Sequence, residues 1–400
     1  MFLFNRNAAR YIKRNALNTS ILVIGFFPAL LFKLFHYSFA NVKHRRIGHL
    51  MSDIYCIVKE KEHNNIRVKY ILLCPSGEVA NPYILKYLRK YVIIIENPFL
   101  CYVLWPLKRH PLTRKDMESY TETHDFGEFI NVIKATEGRE EPPFFTLIDE
   151  DRKKGEKLIR ELGVPENSWY VCVHNRGSGY SGGVSKDYEQ DFRNCNIDNY
   201  KAAMDLIVSH GGYCIRMGDP TLEKLSDKPN IIDYAHHNLR SSFLDIFLSA
   251  TCRFYLTSGS GLFLVGKLFG VPAACVNIVP MGQVLVWGKD DIGIPKLYER
   301  NGQMIPFSDI LNTELGKLRT TRQFFSHRVL PIENSSDELY HLTEEMIERL
   351  NSGMSIYSDE DETLQQKFKE QMNKMNFTYS GTSRVGRYFL KKHEGLLLKV

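Results

Sequence analysis

Little in this 400-residue sequence marks a nucleic-acid binder, a disulfide-framed protein or a metal protein. The formal net charge is only +6, and Lys and Arg are spread through the chain except at its N-terminus. Proteins that bind nucleic acid usually concentrate them, so no nucleic-acid partner is expected. The eight cysteines, at positions 56, 74, 101, 172, 195, 214, 252 and 275, form no CxxC pair, and Cys74, Cys172, Cys214 and Cys275 lie in strand-like apolar runs. That usage fits buried, reduced thiols in a reducing compartment and excludes a disulfide frame or a cysteine zinc site. Between residues 169 and 280 there is no Asp-x-Asp pair to hold a hydrated divalent ion against a diphosphate, so no metal and no cofactor are expected. Internal repeats and low-complexity tracts are also missing.

What is present is ordinary globular composition: 44% hydrophobic and 24% charged residues, with 24 Phe and 21 Tyr to fill cores. The length exceeds what one hydrophobic core usually organises, which predicts two domains with short terminal extras. One uncharged stretch, residues 15–32, holds the apolar run ILVIGFFPALLF (21–32). It is short for a membrane span and carries Asn18, Thr19, Ser20, Gly25 and Pro28. Arg6, Arg10, Lys13 and Arg14 precede it, and Lys33, Lys43, Arg45 and Arg46 follow. Basic flanks on both sides favour peripheral association with the anionic cytoplasmic face of an inner membrane. A secretory signal ending near Ser38-Phe39-Ala40 and a buried helix of the first lobe are the alternatives.

Residues 1–45 are therefore set apart as a basic and apolar membrane-associating segment. Residues 46–148 are expected to form an N-terminal lobe, opening on a strand at RIGHL (46–50). Short apolar runs alternate with turn signals at 70–74 (YILLC) and 91–96 (YVIIIE), as expected of parallel strands covered on both faces. Polar residues 109–140 suggest acceptor loops. Residues 149–330 are expected to form a C-terminal lobe, led by a helix over 149–162. Its strands fall at 169–173 (WYVCV), 213–217 (YCIRM), 231–234 (IIDY), 253–256 and 273–276, separated by helices at 197–210, 242–249 and 261–269. Such βα alternation predicts a doubly wound sheet. Residues 331–400 supply a helix from Ser336 and a tail with no strand pattern.

In an open α/β sheet, ligands bind beyond the carboxyl ends of the strands, which directs attention to four loops. After WYVCV come His174, Asn175, Arg176 and Gly177, then Gly179, Gly182 and Gly183. This loop can bring an Arg fork and backbone amides to a phosphate. Alternatively, His174 bonds locally and Arg176 pairs with Asp187 or Asp191. After YCIRM, Arg216 can face phosphates and Gly218-Asp219-Pro220 can present a carboxylate to a ribose or base, or can be a plain turn. The IIDY strand leads to His236-His237, whose adjacent side chains cannot converge on one metal, so this loop, His236 included, is expected to line a nucleotide instead. Finally Thr257, Ser258, Gly259, Ser260 and Gly261 open a helix. Hydroxyls and free N–H groups there suit an anion, and the run is neither a GxGxxG fingerprint nor a P-loop. On the acceptor side His49 is the candidate general base, since an imidazole exchanges protons near neutrality; capping of a helix or contact with lipid headgroups would explain it equally.

Together RIGHL, VHNRGSGY (173–180), RNCNIDNY (193–200), GGYCIRMGDP (211–220), IIDYAH (231–236), DIFLSATCRFYLTSGSGL (245–262) and FGVP (269–272) resemble a family of bacterial glycosyltransferases found among surface-polysaccharide genes. The resemblance implies a GT-B-like α/β fold, two Rossmann-like lobes with parallel sheets facing a central cleft. It also implies transfer of a sugar from a nucleotide-diphosphate donor to a glycan or lipid-linked acceptor. More remotely, three motifs are similar to the donor site of fucosyltransferases that use GDP-fucose. That similarity places the phosphate-gripping Arg on Arg176, the motif Asp on Asp219 and the Ser-rich motif on Ser258 to Gly261. Gly177 and Ser178 stand where those enzymes carry a second basic residue. Two other functions fit the same lobes: a nucleotide-sugar epimerase, and a non-catalytic partner subunit that binds a nucleotide sugar at the membrane.

Overall fold

The computed structural model describes residues 23, 25–116, 142–177, 188–283, 288–373, 379 and 381–397. The basic residues at positions 6–14, the acceptor loops at 117–140 and the glycines at 179, 182 and 183 fall outside that set. The chain divides into two units, residues 1–137 and 138–400.

In the first unit, strands β1 (Tyr37–Asn41), β2 (Lys69–Leu73), β3 (Ile93–Ile95) and β4 (Arg114–Asp116) form one parallel sheet in the order β3-β2-β1-β4. The apolar runs at 70–74 and 91–96 thus become β2 and β3. The first strand, however, lies upstream of RIGHL. Arg46 is the extended cap of helix α2 (Ile47–His63), so His49 occupies a first helical turn rather than a strand end. Residues Leu50, Met51, Ile54, Ile57 and Val58 recur with helical spacing and are buried, and that periodicity outweighs Gly48. Helices α1 (Phe26–Leu34) and α3 (Pro98–Arg109) cover one face of the sheet. Ala29 of α1 and Cys101 and Leu107 of α3 share a cluster with Phe39, Ile71 and Leu73. Period-two alternation turns the buried Tyr70 and Leu72 to the other face.

The second unit holds a seven-stranded parallel sheet. Its strands are β5 (Tyr170–His174), β6 (Tyr213–Arg216), β7 (Ile231–Ile232), β8 (Phe254–Thr257), β9 (Ala273–Ile278), β10 (Ile292–Pro295) and β14 (Arg384–Val385), in the order β14-β10-β9-β8-β5-β6-β7. A small antiparallel sheet of β11 (Leu297–Arg300), β12 (Gln303–Met304) and β13 (Leu330–Ile332) stands beside it in sequence. Helices α4 (Asp149–Glu161), α5 (Lys201–Ser209) and α6 (Ser242–Thr251) connect and cover strands, α6 being capped by the Ser241 side chain. The tail is not free of strands, since Arg384 and Val385 add the far edge of the large sheet. Helix α8 (Ser336–Ser352) begins with a capping box between Ser335 and Glu338. All eight cysteines are buried thiols.

Candidate functional site

Reading the large sheet outward from β5 gives β6 and β7 on one side and β8, β9, β10 and β14 on the other, so the winding direction reverses between β5 and β8. In doubly wound sheets the crevice at such a reversal, beyond the strands' carboxyl ends, is where ligands bind. The ladders bring the ends into register: Val173 pairs with Arg216, and His174 pairs with Thr257. His174 is the last residue of β5, one position earlier than a post-strand loop would place it.

Several buried polar atoms at or just beyond these strand ends lack internal partners. His174 Nδ1, Nε and Nη2 of Arg216, Oγ1 of Thr257 and Oγ of Ser260 are buried and make no hydrogen bond among the described residues. An unmet buried donor or acceptor costs roughly 1–3 kcal/mol, so several at one strand-end cluster mark a place where a polar ligand or ordered water gains contacts. Backbone bonds hold the loops around them. The Arg176 N–H donates to Ser258 Oγ at 2.9 Å, and the Ser258 N–H donates to the His174 carbonyl at 3.1 Å. Arg193 Nη2 donates to the Gly259 carbonyl at 2.6 Å, while Gly259 takes φ +51°, the left-handed region glycine reaches without strain. Gly218 has φ +139°, and a Cβ there would come within 2.3 Å of Leu222.

Arg216 is fully buried, and its Nη1 donates to Asp233 Oδ1 at 3.0 Å. The other Asp233 oxygen accepts from the Leu225 N–H at 2.9 Å and lies 2.9 Å from His236 Nδ1. Arg216, Asp233 and His236 are therefore one network under the β6 and β7 ends. Asp219 accepts from the Thr221 N–H at 2.9 Å and from its hydroxyl, forming a local turn. The Ser-rich loop differs from the expected helix start: α7 runs from Phe263 to Leu268 with Leu262 as a cap that makes no side-chain bond. Ser258 to Gly261 thus form a loop that offers hydroxyls and backbone groups, without a long helix dipole behind it.

Burial, then the neighbouring Arg216, push the His174 imidazole down to about 4, with Asp219 opposing and Arg176 adding to the depression. The folded chain keeps this ring neutral where an unfolded histidine, at about 6.5, would take a proton. Unfolded protein therefore binds the extra proton between about pH 6.5 and pH 4, and this contribution to stability is lost as pH falls through that window. Denaturation midpoints measured across it should decline more steeply for the wild type than for His174→Gln. Parallel declines would show that His174 does not carry the effect.

No family model matches the sequence, and no curated protein does. Among solved structures, the chain is similar to the glycosyl transferase family 9 protein of Veillonella parvula, with 12% identity over 60% of this chain and 79% of that one, at a TM-score of 0.38. The E. coli ADP-heptose LPS heptosyltransferase II gives 10% identity, coverage of 60% and 83%, and a TM-score of 0.37. E. coli heptosyltransferase WaaC with ADP gives 9%, coverage of 80% and 100%, and 0.36.

Two features escaped the sequence reading. Asp233 is the hub of the Arg216 network, a role that needs three strand ends brought together. In the first unit Asp53 is buried one helical turn after His49, and burial pushes its carboxyl up to about 8 against the opposing Ser52 hydrogen bond and Lys43 charge. The sequence also holds Gly177, Gly179 and Gly182 in GxGxxG spacing after β5, although only Gly177 is among the described residues. Those residues also contain no group of three or more His, Cys, Asp or Glu able to hold a metal ion.

Proposed function

We propose that this chain is a glycosyltransferase that binds a nucleotide-diphosphate sugar at the β5 and β8 ends. It would pass the sugar to a glycan or lipid-linked acceptor in bacterial surface-polysaccharide synthesis, at the cytoplasmic face of the inner membrane. The observation that carries the reading is the coincidence of the winding reversal with a set of buried, unmet polar groups. Arg176 and the hydroxyls of Ser258 and Ser260 would take the diphosphate. Arg216 and His236, both tied to Asp233, would position the β6 side, and Asp219 with Gly218 would shape the loop for the nucleoside.

The decisive experiment is a screen of GDP-, ADP- and UDP-linked sugars for stabilisation of the purified protein, followed by transfer assays with the best donor. Arg176→Ala should weaken donor binding by roughly 10- to 100-fold, since a charge-assisted bidentate contact contributes about 1.5–3 kcal/mol. Arg176→Lys should recover only part of it, because an ammonium lacks the fork. Unchanged affinity in calorimetry, with the fold intact, would remove Arg176 from the site.

The diphosphate is held, in this proposal, by protein donors without a divalent ion. Transfer should then be indifferent to EDTA; activity lost in EDTA and regained with Mg²⁺ would overturn that part. A second reading, a dinucleotide-dependent enzyme, draws on the glycine spacing after β5, and stabilisation by NAD or NADP in place of every nucleotide sugar would favour it. Donor turnover without any acceptor would favour the epimerase.

A further inference from the structure

The two helices that cover one face of the first unit's sheet are apolar on the outside as well as the inside. On α1, Phe27 is 74% and Leu34 64% exposed; on α3, Phe99 is 71%, Tyr102 80%, Val103 51% and Trp105 40% exposed. Contiguous exposed apolar surface on this scale marks an interaction site. The charges carried by the two helices themselves are of one sign. Residues 25–52 contain Lys33, Lys43, Arg45 and Arg46 and no Asp or Glu, and residues 97–115 add Lys108, Arg109, Arg114 and Lys115, again without an acid; of these, Arg45 pairs with Glu78 and Lys115 with Glu60. Lys33 lies in the last turn of α1, and Lys108 and Arg109 lie in the last turn of α3. The Arg109 guanidinium sits 4.8 Å over the Trp105 ring.

We infer that this face, formed jointly by α1 and α3, docks on an anionic lipid surface. Aromatic rings beside cationic ends are the composition of segments that rest at the headgroup level, with rings among the acyl ends and charges on the phosphates. A second copy of the chain would set like charges against each other, whereas anionic lipid neutralises them. Among the described residues, no helix is long and apolar enough to cross a membrane. The inference deepens the membrane location in the proposed function and is independent of its donor chemistry.

The test uses the full chain with no donor present, so that it stands or falls apart from any transfer assay. The protein should sediment with phosphatidylglycerol-containing vesicles and hardly with pure phosphatidylcholine vesicles. The exposed double substitution Phe99→Glu and Val103→Glu should lower partitioning at least about tenfold. Lys108→Ala should lower it about fivefold. Thermal midpoints equal to wild type would confirm that the variants fold. Vesicles should also shift Trp105 emission to the blue, and Trp105→Phe should lose that shift while still binding. Absence of sedimentation with anionic vesicles at low salt, undiminished binding by the double variant, or a dimer that the double variant abolishes would overturn the inference.

Discussion

His49→Ala is expected to slow sugar transfer by about 10²- to 10⁴-fold while leaving donor affinity unchanged, the signature of a lost general base. His49 lies in the first turn of α2, on the connection that leaves the carboxyl end of β1. The first unit's sheet reverses its winding between β1 and β4, so this connection borders that unit's own switch point. A base there would take the proton of the acceptor hydroxyl as the new bond forms. Single-turnover rates with saturating donor would isolate the step. Equal rates for variant and wild type would dismiss His49 and direct attention to Asp53, Asp116 and the carboxylates at 117–140.

Arg216→Met is expected to destabilise the second unit by about 3–5 kcal/mol, because it leaves Asp233 in a largely buried position without its cation. The loss should appear in denaturant titrations as a lower midpoint. Joint replacement of Arg216 by Met and Asp233 by Leu should restore a good part of it, since a buried pair exchanged for apolar groups of similar volume is often near neutral. A loss below about 1 kcal/mol for the single variant would mean that the pair behaves as an exposed one. Donor affinity measured on the folded variant would separate this structural role from direct contact with phosphate.

The second unit was legible because its strands are short continuous apolar runs, each closed by a Gly or Pro turn. Hence β5, β6, β8 and β9 fall within a residue or two of their expected places. Local pattern alone locates such strands. The order β7-β6-β5-β8 is a tertiary property, and so is the Arg216–Asp233–His236 network, which joins residues whose proximity no local spacing encodes. The start of α2 was misread because Gly48 and the polar His49 interrupt its first turn, where caps and not periodicity decide. Helix α3 is hard to see in the sequence because Pro98 and Pro106 punctuate it. The candidate donor residues come from the rule that strand ends face ligands, while the exposed apolar surface on α3 carries no motif at all.

The pairing of β14 with β10 has a consequence for biosynthesis. Ile292 and Gly293 of β10 align with Arg384 and Val385, and the backbone bonds run from Arg384 to Asp291 and from Gly386 to Gly293. Residues 296–383 separate the two strands, 88 in all, including all of α8 and α9 (Asp359–Glu370). On the ribosome, β10 is therefore exposed as an open edge, with unpaired amides and carbonyls beside the apolar Ile292 and Ile294, until Val385 emerges. An open edge of that kind pairs readily with another chain. A stop codon a few residues before Arg384 should thus yield aggregated protein, even though every strand of the candidate donor site would already have been made.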